Sequence, residues 1–186
     1  MFDYAVKKAR ELSEDYVLHA LNGAAKRKCE KQFLWRCQQN LQLNINPIWL
    51  PENLPTTAMR GTCVRTSGGY DILLLPKMDP TLTRFVLVKE IFHAIFDIEA
   101  VYQMNLLQHL DSTLFGDSKD MPLHAQSEYA AHAAAAEFLF PYSERLAVVK
   151  NGRYLDPKAL STEFDMPSSI VEYYLSASAM EFYAFP

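Results

Sequence analysis

Residues 79–97 leave the chain little choice but to form a helix buried on nearly every side. Asp79 suits an N-cap and Pro80 suits the first helical position, where a missing N–H costs nothing. Leu82, Phe85, Val86, Leu87, Val88, Ile91, Phe92, Ile95 and Phe96 then occupy most of the circumference of a helix predicted over 80–97. Such a helix cannot face water along one side. The segments before and after it must therefore wrap it as amphipathic partners in one domain.

The flanking sequence supplies those partners. Phe2, Ala5, Val6, Ala9, Leu12, Tyr16, Val17, Ala20 and Leu21 recur at three- and four-residue spacing, which predicts a helix over 2–21 closed by Asn22-Gly23. Cys29, Phe33, Cys37 and Leu41 predict a second over 24–41. Leu41, Leu43 and Ile45 alternate with polar residues as a half-buried strand does. Pro47, Pro51 and Pro55 read as a connecting loop. Strands over 61–66 and 70–75, joined at Ser67-Gly68-Gly69, follow, and the strongly apolar second one belongs in the middle of a small sheet. Residues 111–120, with Gly116, read as a loop. An alanine-rich helix over 122–140 stops at Pro141, and short helices over 156–164 and 168–183 flank Asp165-Met166-Pro167. The expectation is an α+β fold in a single domain over 1–186, with a sheet of three or slightly more strands packed on the central helix.

Composition narrows the classes of function. A 49% hydrophobic and 22% charged chain is ordinary for a globular protein, and a net charge of −4 gives no general reason for nucleic-acid or membrane binding. Lys26, Arg27, Lys28 and Lys31 form a local basic cluster, read as a solvated helix face. Cys29, Cys37 and Cys63 are odd in number and lack a CxxC pair, so reduced thiols in the cytoplasm are expected. Met1-Phe2-Asp3-Tyr4 does not open a signal peptide, and no apolar run reaches the roughly 18 residues of a membrane span.

The central helix also carries Lys89-Glu90-Ile91-Phe92-His93. Residues four apart share a helix face, so two histidines at that spacing can grip one zinc ion, and a glutamate after the first can polarise a metal-bound water. Here Lys89 stands where the first histidine of HExxH would be. The longer segment Arg84-Phe85-Val86-Leu87-Val88-Lys89-Glu90-Ile91-Phe92-His93 resembles the R-F-T-L-A-H-E-L-G-H segment of the ImmA/IrrE metallopeptidases. Downstream, Glu128, Ala131, Ala135, Leu139 and Pro141 fall in register with that family's E-x-x-A-x-x-F-A-x-x-L-L-M-P motif, with Ala134 and Phe138 replacing its Phe and Leu. Residues 159–168 are similar to its C-terminal helical unit.

The resemblance implies a zincin-like metallopeptidase fold, Glu90 as general base, and His93 and Glu128 as zinc ligands. Lys89 breaks that set, because an ammonium has no lone pair and zinc catalysis uses three protein ligands. Phe92, in place of a glycine, would set a ring beside the metal position. His132, four residues after Glu128, could serve as a substitute ligand; His124 has the same spacing on the other side, whereas His19 and His109 have core or surface placement as their default. A protonated Lys89 could instead stand in for the lost cation and pair with Glu128. The expectation is therefore a pseudoenzyme without cofactor, binding a repressor- or antitoxin-like regulatory protein or peptide. The alternative is a zinc-dependent endopeptidase that cleaves a transcriptional regulator.

Overall fold

The computed structural model describes residues 2–19, 28–53, 60–102 and 123–184. Helices α1 (Phe2–His19) and α2 (Glu30–Asn40) precede strands β1 (Ile45–Trp49), β2 (Gly61–Thr66) and β3 (Gly69–Leu74). Helices α3 (Pro80–Tyr102), α4 (Leu123–Leu139) and α5 (Tyr142–Lys150) follow. After a 3-10 turn at Arg153–Leu155 come α6 (Pro157–Phe164), α7 (Ser168–Leu175) and α8 (Ala177–Phe182). The sheet has the order β1-β3-β2, with β1 parallel and β2 antiparallel to the central β3. The fold is α+β.

The apolar helix sits where its composition requires. Phe85, Val86, Leu87, Val88, Ile91, Phe92, Ala94 and Ile95 of α3 are all buried. The sheet covers one side, with Tyr70, Ile72 and Leu74 of β3 pointing inward, and α4 covers another. α4 presents Ala130, Ala131 and Ala133–Ala136, all essentially inaccessible, and these small side chains let α1 and α3 approach closely. An aromatic cluster fills the remaining space, with Phe33 stacked on Phe138 at 4.1 Å between ring centres.

Two buried charge clusters fasten distant segments. Arg84 of α3 donates to the carbonyls of Phe164 at 2.9 Å and Asp165 at 2.6 Å, and also to that of Lys28. It thereby ties the chain before α2 to the end of α6. Glu137 of α4 accepts from Arg145 of α5, and from Arg10 of α1 at 2.9 Å. Arg145 is completely buried, with the rings of Tyr142, Tyr174 and Tyr183 around its guanidinium at 4.9–5.5 Å.

Several expectations change. Pro47 lies within β1 instead of a loop, which an edge strand tolerates because only one side of it is hydrogen-bonded to the sheet. α5 has no counterpart in the predicted elements. The segment predicted as one helix over 168–183 breaks at Ser176, whose hydroxyl accepts from the Ala179 N–H and starts α8. Lys28 is not on a solvated face. It is 3% exposed, with its ammonium 5.3 Å from the centre of the Phe138 ring. Asn22-Gly23, Lys26, Arg27, Pro55, His109 and the predicted loop over 111–120 lie outside the described residues, as do the side chains of His19 and His124. Among the described residues, no helix is long and apolar enough to cross a membrane.

Candidate functional site

Facing turns of α3 and α4 bring four side chains of the two sequence motifs together. Lys89 extends its ammonium to 2.7 Å from Glu128 Oε2 and 2.9 Å from Glu90 Oε1. His93, one turn further along α3, places Nε2 3.2 Å from Glu128 Oε1. On its other side, His93 Nδ1 lies 3.4 Å from Ser127 Oγ. Glu128 thus spans the lysine and the histidine with one oxygen each.

The electrostatics follow from depth. Glu90 is almost completely buried, Lys89 and His93 are mostly buried, and Glu128 is half exposed. Burial works against the charge on Lys89, but Glu90 and Glu128 together outweigh it and hold the amine above its ordinary pKa. Lys89 is therefore a fixed cation at neutral pH. Burial, aided by the Lys89 charge, pushes His93 below the usual histidine range despite Glu90 and Glu128, so its ring is neutral. The Lys89 contact to Glu90 is electrostatic: Glu90 Oε1 makes no aligned hydrogen bond.

Glu90, His93, Ser127 and Glu128 border a cleft of about 370 Å³ between α3, α4 and strand β2. Its far wall is Thr62, Cys63 and Arg65 of β2 with Tyr70 and Asp97. Tyr70 donates to Asp97 at 2.8 Å, and Arg65 lies 3.5 Å from the same carboxylate. β2 reaches this position because residue 61 is glycine: a Cβ there would come within 2.5 Å of Val86 Cγ1 on α3. Among the described residues β2 is also a sheet edge, with β3 as its partner.

The donor set does not fit a catalytic zinc ion. The position that would carry the third ligand holds an ammonium, which has no lone pair and already bridges the two carboxylates. Among the described residues, no three His, Cys, Asp or Glu side chains form a group able to hold a metal ion. His132 is not gathered into the cluster; its Nδ1 faces the Tyr174 hydroxyl at 3.1 Å and its ring packs edge-on to Phe85. Phe92 is not beside the site either. It lies in the aromatic core against Phe33, Phe96 and Phe138, so it leaves the cleft open. Ser127, Tyr70, Asp97 and Arg65 were not singled out by the sequence. Ser127 adjoins a motif glutamate and Asp97 follows His93 by four residues on α3, so both carry a local signal; Tyr70 and Arg65 become neighbours of the motif only through the sheet.

A family model described as the IrrE N-terminal-like domain of the M78 peptidases matches residues 50–176. No curated protein sequence matches the chain. Among solved structures, a Mycobacterium tuberculosis transcriptional regulator superposes with a TM-score of 0.55 at 15% identity. The alignment covers 91% of this chain and 47% of that one, so the chain spans about half the length of that protein.

Proposed function

The chain belongs to the M78 peptidase family as an IrrE N-terminal-like domain, and from that premise we propose that it is a cytoplasmic pseudopeptidase whose zincin-like cleft binds a regulatory protein. The observation that carries this reading is the ion pairing of Lys89 with Glu90 and Glu128 at 2.9 and 2.7 Å. A protonated amine there neutralises the carboxylates that a metal would otherwise neutralise. The frame is kept intact without the ion, and without it there is no Lewis acid and no low-pKa water.

The partner is a repressor- or antitoxin-like protein, engaged through an extended segment. Among the described residues no further strand lies on the outer edge of β2, which suits strand addition, and the adjoining cleft can receive side chains of the added segment. The likeness to a transcriptional regulator agrees with such a setting. A second reading, a zinc endopeptidase acting on a transcriptional regulator, draws on the retained positions of Glu90, His93 and Glu128.

Metal content after chelator-free purification separates the two, measured for the natural protein and for Lys89→His side by side. The expected result is no zinc in the natural protein and near-stoichiometric zinc in the variant. Near-stoichiometric zinc in the natural protein would overturn the pseudopeptidase reading.

A further inference from the structure

With lysine at the first ligand position, the cleft brings a hydroxyl, an imidazole and a carboxylate together in an arrangement whose chemistry needs no metal. Ser127, His93 and Glu128 form a continuous line: Ser127 Oγ is 3.4 Å from His93 Nδ1, and His93 Nε2 is 3.2 Å from Glu128 Oε1. We propose that Ser127, His93 and Glu128 act as a nucleophile, base and positioning carboxylate for acyl transfer from an ester or amide bound in the cleft. The proposal goes beyond partner binding and rests on the metal-free reading of the site.

The relationship is that of any activated serine: a hydroxyl within reach of an imidazole, whose second nitrogen faces a third group. The tautomer with its proton on Nε2 directs that N–H toward Glu128 and leaves the Nδ1 lone pair facing Ser127. Both separations are loose and the Nε2 approach is off-line, with no aligned hydrogen bond to Nε2. Contacts of this kind tighten when substrate is bound. Lys89 holds the other oxygen of Glu128 at 2.7 Å, which anchors the carboxylate opposite the ring. All three residues border the 370 Å³ cleft. Arg65, on the face of β2 turned toward α3, also lines the cleft and brings a cationic donor of the kind a tetrahedral oxyanion needs.

The chemistry balances without an added reagent. A lone pair on Ser127 Oγ bonds to the acyl carbon as the hydroxyl proton passes to His93 Nδ1, and the carbonyl π pair moves onto oxygen. Collapse of the oxyanion breaks the bond to the leaving alcohol or amine, which takes the proton from His93. The product is an acyl ester on Ser127. Water then attacks that ester with His93 again accepting the proton, releasing the carboxylic acid and restoring the hydroxyl.

The test uses the full chain in excess chelator, with a serine-directed fluorophosphonate probe and a short-chain p-nitrophenyl ester. One adduct per chain, mapped to Ser127, and chelator-insensitive ester hydrolysis are expected. Ser127→Ala should abolish the adduct and lower hydrolysis at least about 10²-fold. Glu128→Gln should lower kcat with KM unchanged, and Glu128→Asp should recover part of the loss. Ser127→Cys provides a reading independent of the ester assay: its alkylation by iodoacetamide should slow about tenfold or more when His93→Gln is added. No adduct, an adduct on another serine, hydrolysis that survives Ser127→Ala, or alkylation indifferent to His93 would each overturn the proposal.

Discussion

Lys89 decides the character of the site because it removes one kind of bond and supplies another. Its ammonium compensates Glu90, which would otherwise be a buried, unneutralised carboxylate. Lys89→Ala should therefore destabilise the fold by on the order of 3 kcal/mol, the lower end for a broken buried pair because Glu128 is half exposed. Urea unfolding beside Lys7→Ala, an exposed control, checks this; equal midpoints would refute it. With its pKa raised, Lys89 contributes fully through neutral and mildly alkaline pH, and the contribution fades only as pH climbs through the raised value above 10.5. Part of the motif is legible in the sequence: helix spacing puts Lys89 and His93 on one face, whereas Glu128 enters only through the resemblance of the second motif and here stands within reach of both. Phe92 adjoins the motif histidine in sequence but does not share its helix face. On a helix, residue 92 lies about 100° from residue 93, and here that direction is the aromatic core. A shared helix face with Glu128 is likewise not enough to bring His132 into the cluster, because its ring nitrogen faces the Tyr174 hydroxyl.

Secondary-structure elements could be read wherever local pattern and burial coincide. The apolar run on α3, the alanines of α4 and the capped start of α6, where Asp156 accepts from the Ala159 N–H at 2.9 Å, are such cases. β1 and α5 are not. A strand containing Pro47 carries a breaker that only its edge position excuses, and α5 shows buried Arg145 in place of an apolar stripe. The placement of β2 against α3 is equally non-local, since it depends on the missing side chain of Gly61. Gly61→Ala should cost about 1–3 kcal/mol through overpacking against Val86. Gly68→Ala, in the open turn of the same hairpin, should stay within about 0.5 kcal/mol. Thermal melts of the two variants give the comparison, and equal shifts would mean that β2 is not pressed onto α3 at residue 61.

The molecule is held together by ties between its two ends as well as by its apolar core. Arg10 near the start bonds Glu137 and also the Tyr183 carbonyl at 3.0 Å near the finish, and Arg145 fills the space between them. Glu137→Ala should cost about 3–5 kcal/mol, because it strands the buried Arg145 charge. That is a large share of a typical domain's stability. A loss under 1 kcal/mol in chemical denaturation would show that the tyrosine cage alone sustains the guanidinium. No helical periodicity announces such a tie, since Glu137 and Arg145 lie on different helices across Pro141. Lys28 has the opposite effect. Burial pushes its amine down to about 8, from 10.5 in the open chain, so between those values the unfolded chain binds the extra proton and folding expels it. Stability should thus rise with pH from about 8 to 10.5, and Lys28→Met should recover up to about 3 kcal/mol at pH 7. Calorimetry in buffers of different ionisation heat would register the expelled proton as a buffer-dependent enthalpy near pH 9, absent in the variant. Through one hidden amine, the folding of this molecule becomes an acid-releasing reaction.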